Sequence, residues 1–278
     1  MNGRAIRTIA AQSFWDSLRG RWFMLFAITY FFLVIGFPII TLDVLSLLPS
    51  TYLATYLSTF IATAYNFIPL ITLPMGATVV VDEREAGTLQ YMMSNPISKS
   101  DFLSGRILGM LIATTGVVAL GFLVATVFAY GSDFGHYNVL AIALVAAVML
   151  NAIMLAISMI VSTVSKRRGA AVGMAIFLWF LFSVLADVGE LGIMSSNTQT
   201  ANPTIAVPGL VLDPVYTATS WAVLALGSRV TQSSAVSLIS ASKVFGAETT
   251  YVLMGIMTVW LAICLVTPYL LFRFRDVV

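Results

Sequence analysis

Long runs of apolar residues, separated by short polar segments, recur along almost the whole chain. Each run is long enough to cross the hydrocarbon core of a bilayer as an α-helix, which needs roughly 20 residues at about 1.5 Å per residue. Of all residues, 59% are hydrophobic and 9% are charged, whereas about a quarter of a soluble domain is charged. We therefore predict an all-α polytopic membrane protein.

The apolar runs predict one transmembrane domain, residues 1–278, that crosses the cell membrane six times. The predicted spans are 22–42, 52–81, 102–130, 138–164, 169–187 and 251–272. Of the 14 lysines and arginines, only Arg229 and Lys243 then fall in segments outside the cell. Because basic residues favour the cytoplasmic side, both termini of this multi-pass protein are predicted to be cytoplasmic.

Residues 1–20 precede the first span and have the pattern of an amphipathic helix. Ile6, Ala10, Phe14 and Leu18 form a row at i, i+4 spacing that basic residues interrupt. This pattern predicts a helix in the membrane interface, with its positive face towards anionic headgroups of the lipid bilayer.

Residues 188–250 lack a uniform apolar run and are predicted to form an extracytoplasmic segment. Within it, Asp213 has the position of a helix N-cap and Pro214 that of the first helical residue. The amphipathic run 215–226 that follows is predicted to lie at the outer interface. Ser98 is predicted in the same way to cap the third span.

Residues 82–101 connect the second and third spans and are predicted to lie in the cytoplasm. The segment opens with four consecutive charges and continues with Leu89, Met92 and Met93 at i, i+3, i+4 spacing. An apolar helical face outside the bilayer needs a partner that covers it. We therefore predict that a soluble protein docks on this segment.

The residue counts argue against an enzyme and against a catalytic, cofactor-binding or metal site. The chain has no GxxxxGK[ST] motif for binding ATP, and His136 and Cys264 are its only histidine and cysteine. Met149, Met154 and Met159 recur every five residues, so they spread around a helix instead of converging on a metal. A net charge of +2 is too small to indicate a nucleic-acid partner.

Two kinds of intramembrane feature predict helix packing rather than transport. Asn66 and Asn151 lie within predicted spans, where an asparagine more often forms an interhelical hydrogen bond than a ligand site. The GxxxG pairs at 105–109 and 169–173 predict close helix approach and are compatible with self-association. No buried acidic pair suggests ion coupling, so the energy source is predicted to be external.

The predicted docking segment also carries a family pattern. Residues 83–89, with the sequence EREAGTL, are followed by Pro96, Lys99, Leu103 and Gly105-Arg106. This resembles the E-x-E-x-G-T-L…P…(K/R)…L…G-(K/R) segment of ABC type 2 permeases, the membrane subunits of ATP-binding-cassette transporters. Within that family the chain is most similar to the NosY-like subgroup.

The resemblance implies the type 2 (type V) exporter architecture, a homodimer, and two copies of a separate cassette ATPase that holds ATP and Mg. It also implies that residues of the docking segment form a coupling helix in a groove of the ATPase. These residues are Glu83, Arg84, Glu85, Gly87, Thr88, Leu89, Met92 and Met93. The first three would form a polar rim, Leu89 and the two methionines an apolar anchor, and residues 165–168 a second contact.

The implied function is coupling of ATP hydrolysis to transport or to force transmission across the membrane. In the NosY-like subgroup this coupling function belongs to the NosDFY systems, which mature the copper sites of nitrous oxide reductase. Resemblance to that subgroup also implies an extracytoplasmic partner. Two alternatives stay open: an exporter of a lipid-like, peptide or drug-like molecule, and a non-transporting subunit that anchors a larger membrane complex.

Overall fold

The computed structural model describes residues 3–45, 49–87, 98–130, 137–195, 211–226 and 248–274, and their regular structure is helical. The helices are α1 (Gly3–Arg19), α2 (Arg21–Leu45), α3 (Pro49–Glu85), α4 (Lys99–Tyr130), α5 (Tyr137–Val164), α6 (Arg168–Ser195), α7 (Pro214–Leu226) and α8 (Thr249–Phe274).

Five of these helices are long and apolar enough to cross a membrane. Their candidate spans are Phe23–Ile40, Tyr56–Glu85, Lys99–Val127, Ala141–Val164 and Thr249–Leu271. The fifth predicted span, 169–187, coincides with a shorter apolar stretch of α6, Arg168–Val184. The prediction of an all-α membrane fold is confirmed for the described part of the chain.

Helix α3 is the central element, because it packs against α2, α4, α5, α6 and α7. It contains Pro69 and Pro74 and still runs from Pro49 to Glu85. Prolines disturb the hydrogen bonds of a membrane helix, and polar side chains of neighbouring helices can satisfy the freed backbone groups. Here Trp179 Nε1 and Ser183 Oγ of α6 donate to the Asn66 carbonyl at 3.0 and 3.1 Å.

Helix α3 approaches α5 closely at Gly76, which faces Ser158. A Cβ atom at Gly76 would lie 1.8 Å from Ser158 Oγ and 2.8 Å from Ser158 Cβ. One turn further along, Ser162 Oγ of α5 accepts the Val80 N–H at 2.8 Å. We infer that α3 and α5 form a single rigid pair over this region.

Gly76→Ala is expected to lower the free energy of unfolding by about 1–3 kcal/mol, because the added methyl group overpacks the contact with α5. The measurement is thermal unfolding of the detergent-solubilised chain. Gly116→Ala is the matched control, since no atom lies within 4 Å of its added Cβ. The second change Ser158→Gly should restore the stability of the Gly76 variant, and equal melting of the Gly76 and Gly116 variants would contradict the contact.

Helix α1 packs along α4, and two glycines of α4 make this possible. A Cβ atom at Gly105 would lie 2.6 Å from Ile9 Cβ, and one at Gly109 would lie 2.3 Å from the Ala10 carbonyl oxygen. Helix α1 therefore packs against α4 with Ser13 and Ser17 buried, and the contact of its apolar row with the bilayer stays a prediction. Trp15 remains 55% exposed, with the Arg19 guanidinium 5.9 Å from the centre of its ring.

Both predicted N-caps are confirmed. Asp213 Oδ1 accepts the Val215 and Tyr216 N–H groups at 2.8 and 3.3 Å, and Ser98 Oγ accepts the Asp101 N–H at 3.1 Å. Each cap satisfies backbone donors that the first helical turn leaves free.

Helix α7 is buried among other helices. It packs against α3, α5, α6 and α8, and Ala218, Trp221 and Ala222 are among its buried residues. Helix α7 is thus part of the helix bundle, and the position of 215–226 at the outer interface stays a prediction. Residues 196–210 and 227–247 of the predicted outer segment lie outside the described residues.

Candidate functional site

The charged residues 82–85 continue helix α3, so the predicted docking segment does not begin as a separate element. Gly87 lies just after the end of α3 and has a φ of +70°. Glycine adopts this left-handed conformation at little cost. Its N–H donates to the Arg84 carbonyl at 3.2 Å, which closes the last turn. The predicted anchor residues Thr88, Leu89, Met92 and Met93 lie outside the described residues.

Arg106 of α4 joins three helices at this end of α3. Its Nη2 donates to Glu83 Oε1 of α3, and its Nη1 lies 3.6 Å from Asp16 Oδ2 of α1. The side chains of Arg106 and Glu83 are only 13% and 15% exposed. Charge-assisted hydrogen bonds are strong, and a partly buried one is screened less than a surface pair. The guanidinium therefore holds the ends of α1, α3 and α4 together.

A second set of contacts ties α3 to the link between α5 and α6. Arg84 Nη1 donates to the Ser165 carbonyl at 2.9 Å, and the Arg168 N–H donates to Glu85 Oε1 at 2.9 Å. Arg168 Nη1 also lies 3.4 Å from Asp82 Oδ2. The two Arg168 contacts are more exposed than the Arg106 pair, so each of them contributes less to stability.

We call these side chains together the charged cluster. Its members come from α1, α3, α4 and the start of α6: Asp16, Asp82, Glu83, Arg84, Glu85, Arg106 and Arg168. The cluster brings the end of α3 and the link 165–168 into direct contact with each other. These are the two segments that were predicted to contact a partner in the cytoplasm.

The cluster gives Glu83, Arg84 and Glu85 contacts within their own chain. Their place in the rim of a docking surface stays a prediction. Arg106 is a functional candidate that the sequence analysis used only as part of the family pattern. The available signal was a charge two turns into an otherwise apolar helix, where ionisable residues usually have a defined partner.

The two predicted intramembrane asparagines lie apart from the charged cluster and contact neighbouring helices. Asn151 is fully buried, and its Nδ2 donates to Thr114 Oγ1 and Thr115 Oγ1 of α4 at 2.9 and 3.0 Å. Asn66 contacts α6 through its backbone carbonyl. Both contacts connect helices within one chain.

The described residues include no group of three or more His, Cys, Asp or Glu side chains placed to hold a metal ion. Met154 and Met159 are buried in two different apolar clusters, and Cys264 is buried in α8. His136 lies outside the described residues.

Comparison with known proteins identifies relatives along nearly the entire sequence. The family model described as "ABC-2 family transporter protein" matches residues 7–277. A protein named "Probable ABC transporter permease protein NosY" from Stutzerimonas stutzeri is 23% identical over 275 residues, which cover 96% of this chain and 97% of the relative. One of the same name from Pseudomonas aeruginosa is 23% identical over 218 residues, covering 74% of this chain and 77% of the relative.

Proposed function

Because this chain belongs to the ABC-2 family of transporter proteins, as a membrane subunit of an ABC transporter, we propose that it couples ATP hydrolysis by a separate cassette ATPase to movement of its membrane helices. The observation that carries this proposal is the charged cluster. Any displacement applied to the segment after Gly87 reaches the end of α3 first. Through Arg106, Arg84 and Arg168 it then acts on α1, α4 and α6 together.

Helix α3 supplies a path from this end of the molecule to the other. Its 37 residues correspond to about 55 Å at 1.5 Å per residue, more than the hydrocarbon thickness of a bilayer. The contacts of Gly76 and Val80 bind α3 to α5, and α7 packs on both. In this mechanism a push on α3 shifts α7 and the extracytoplasmic segment that surrounds it.

The same arrangement supports a six-span topology with both termini in the cytoplasm, in which α6 is the remaining span. The cluster gathers α1, the end of α3, the start of α4 and the start of α6 at one side. Exposed Lys166 and Arg167 adjoin it. Basic residues concentrated at one side are expected to face the cytoplasm, and the exposed charges and Trp15 on α1 suit a helix at the membrane interface.

The two GxxxG pairs have different environments, and the difference supports a homodimer. Gly105 and Gly109 are covered by α1, whereas no atom lies within 4 Å of a Cβ atom at Gly169 or Gly173. Beside the open pair on α6, Phe177 is an exposed large apolar residue. Small residues next to an apolar face let a second helix approach closely in a membrane, and a second copy of α6 fits this surface.

The output side of the mechanism is proposed from the relatives named NosY and from the family resemblance. We infer force transmission to an extracytoplasmic partner, in a system that matures the copper sites of nitrous oxide reductase. ATP and Mg would be held by two copies of the partner ATPase. The buried position of α7 supports this output, because a helix packed on α3 and α5 follows their movement.

Purification of the tagged full-length chain from native membranes tests the proposal. We expect a protein with a Walker motif to co-purify, and the complex to hydrolyse ATP when Mg is present. An untagged strain is the control for adventitious binding. Recovery of the intact chain without an ATPase, under conditions that preserve other membrane complexes, would contradict the proposal and favour the anchor-subunit alternative.

A further inference from the structure

A cavity of about 730 Å³ lies beside the charged cluster, lined by residues of α1, α2, α3, α4 and α6. Pockets that bind small molecules have volumes of about 300–1,000 Å³ and mostly apolar walls. The volume of this cavity falls in that range. It also adjoins residues that the proposed coupling mechanism moves.

The walls of the cavity are apolar over most of their length. Phe23 and Phe26 of α2 line one side, and Ile71, Met75 and Val79 of α3 line another. The three α3 residues recur at i, i+4, i+8, so they follow one face of that helix. This apolar face runs along the axis of α3.

The remaining end of the cavity is charged. Asp16, Asp82, Glu83, Arg106 and Arg168 all contribute to it, so carboxylates outnumber guanidinium groups by three to two. Arg106 already forms ion pairs with Glu83 and Asp16. The cavity therefore combines an apolar body with a charged end of net negative sign.

Asp82 is the carboxylate with unused capacity at this end. Its side chain interacts with Thr78 and its Oδ2 lies 3.4 Å from Arg168 Nη1, while its Oδ1 is shielded from solvent and has no hydrogen-bond partner among the described residues. Arg106 Nε is unpartnered in the same way, but the terminal nitrogens of that guanidinium already contact two carboxylates. A buried carboxylate oxygen without a partner is costly, and an ammonium group supplies both a charge and donors.

We propose that this cavity binds a single-chain amphiphile with a primary ammonium head, with the head at Asp82 and the alkyl chain along Ile71 and Met75. The site goes beyond the proposed coupling to an ATPase and does not require that coupling. It can be measured on the membrane subunit alone, so failure of either proposal leaves the other intact.

The test is equilibrium binding of tritium-labelled dodecylamine to the full chain in phosphatidylcholine nanodiscs at neutral pH. We expect saturable binding that unlabelled dodecylamine displaces and dodecanol does not. Asp82→Asn should weaken the binding about tenfold, because it removes a charge-assisted hydrogen bond. Glu248→Gln is the matched control, since it neutralises a carboxylate outside the cavity and should leave the affinity unchanged.

A second pair of variants tests the apolar part independently of Asp82. Val79→Phe fills space along α3 and should also weaken dodecylamine binding about tenfold. Val127→Phe makes the same change at a residue that is exposed on α4 and should have no effect. Equal displacement by dodecanol, or unchanged affinity in either cavity variant, would overturn the proposal.

Adding a lipid to the same experiment distinguishes the two possible natural ligands, a membrane lipid and a soluble amphiphilic amine. Lysophosphatidylethanolamine, a single-chain lipid with the same ammonium head, should compete with dodecylamine when it is added to the nanodiscs if the occupant is a membrane lipid. Binding that is unaffected by this lipid assigns the cavity to a soluble amphiphilic amine. Both results support an ammonium site and differ only in where its ligand comes from.

Discussion

Leu89→Asp is expected to abolish binding of the cassette ATPase, while the membrane subunit still inserts and dimerises. Leu89, Met92 and Met93 share one face of the predicted coupling helix, and an apolar anchor of this kind carries much of the energy of an interface. An aspartate there would place an unpaired charge in an apolar groove, which costs about 3 kcal/mol or more. The affinity should fall at least a hundredfold.

The measurement is co-purification of the ATPase with the tagged variant, followed by titration of the isolated ATPase onto the chain in nanodiscs. Leu212→Asp is the matched control, because Leu212 is 68% exposed and lies in the segment proposed to be extracytoplasmic. Leu89→Met should retain binding, since the neighbouring anchor residues are methionines. Normal ATPase affinity in an intact Leu89→Asp variant would show that the partner docks elsewhere.

Local features of this chain were predictable from sequence because nearby residues determine them. Apolar length specifies the membrane helices, and Ser98 and Asp213 cap helices through contacts with backbone groups two or three residues away. The charged end of α3 depends on distant residues instead. Arg106 is 23 positions from Glu83, and Ser165 is 81 positions from Arg84. The family resemblance implied a polar rim for these charges, and only the folded chain shows that they also join helices.

Packing at the two GxxxG pairs also could not be predicted from the sequence alone. Both have the same spacing, and both permit close approach of a helix. Only the tertiary arrangement shows that α1 occupies the pair at 105–109 while the pair at 169–173 stays open. The same glycines explain how α1 packs closely against α4, a contact that the periodicity of α1 alone did not predict. The amphipathic pattern of α7 likewise does not show how many helices surround it.

Arg106→Ala is expected to uncouple the transporter without releasing its ATPase. The substitution removes the contacts of α4 with Glu83 and Asp16 and leaves the segment after Gly87 unchanged. Glu83, 15% exposed, loses the Arg106 ion pair, which should lower the free energy of unfolding by about 2–3 kcal/mol, somewhat less than for a fully buried pair. Arg19→Ala is the control, since it removes an exposed arginine of α1 that contacts Trp15.

The double variant Arg106→Ala, Glu83→Ala separates stability from transmission of movement. Removing both partners of an ion pair is far less destabilising than removing one, so thermal unfolding should return towards that of the native chain.

Movement of α7 can be followed by the rate at which Thr219→Cys is labelled in a Cys264→Ala background. ATP should change this labelling rate when Arg106 and Glu83 are intact. It should leave the rate unchanged in the Arg106→Ala variant and in the double variant. If the double variant regains the ATP-dependent change, Arg106 stabilises the fold but is not part of the path from α3 to α7. If the change stays absent while stability and ATPase binding are normal, the ion pair itself carries the movement between helices.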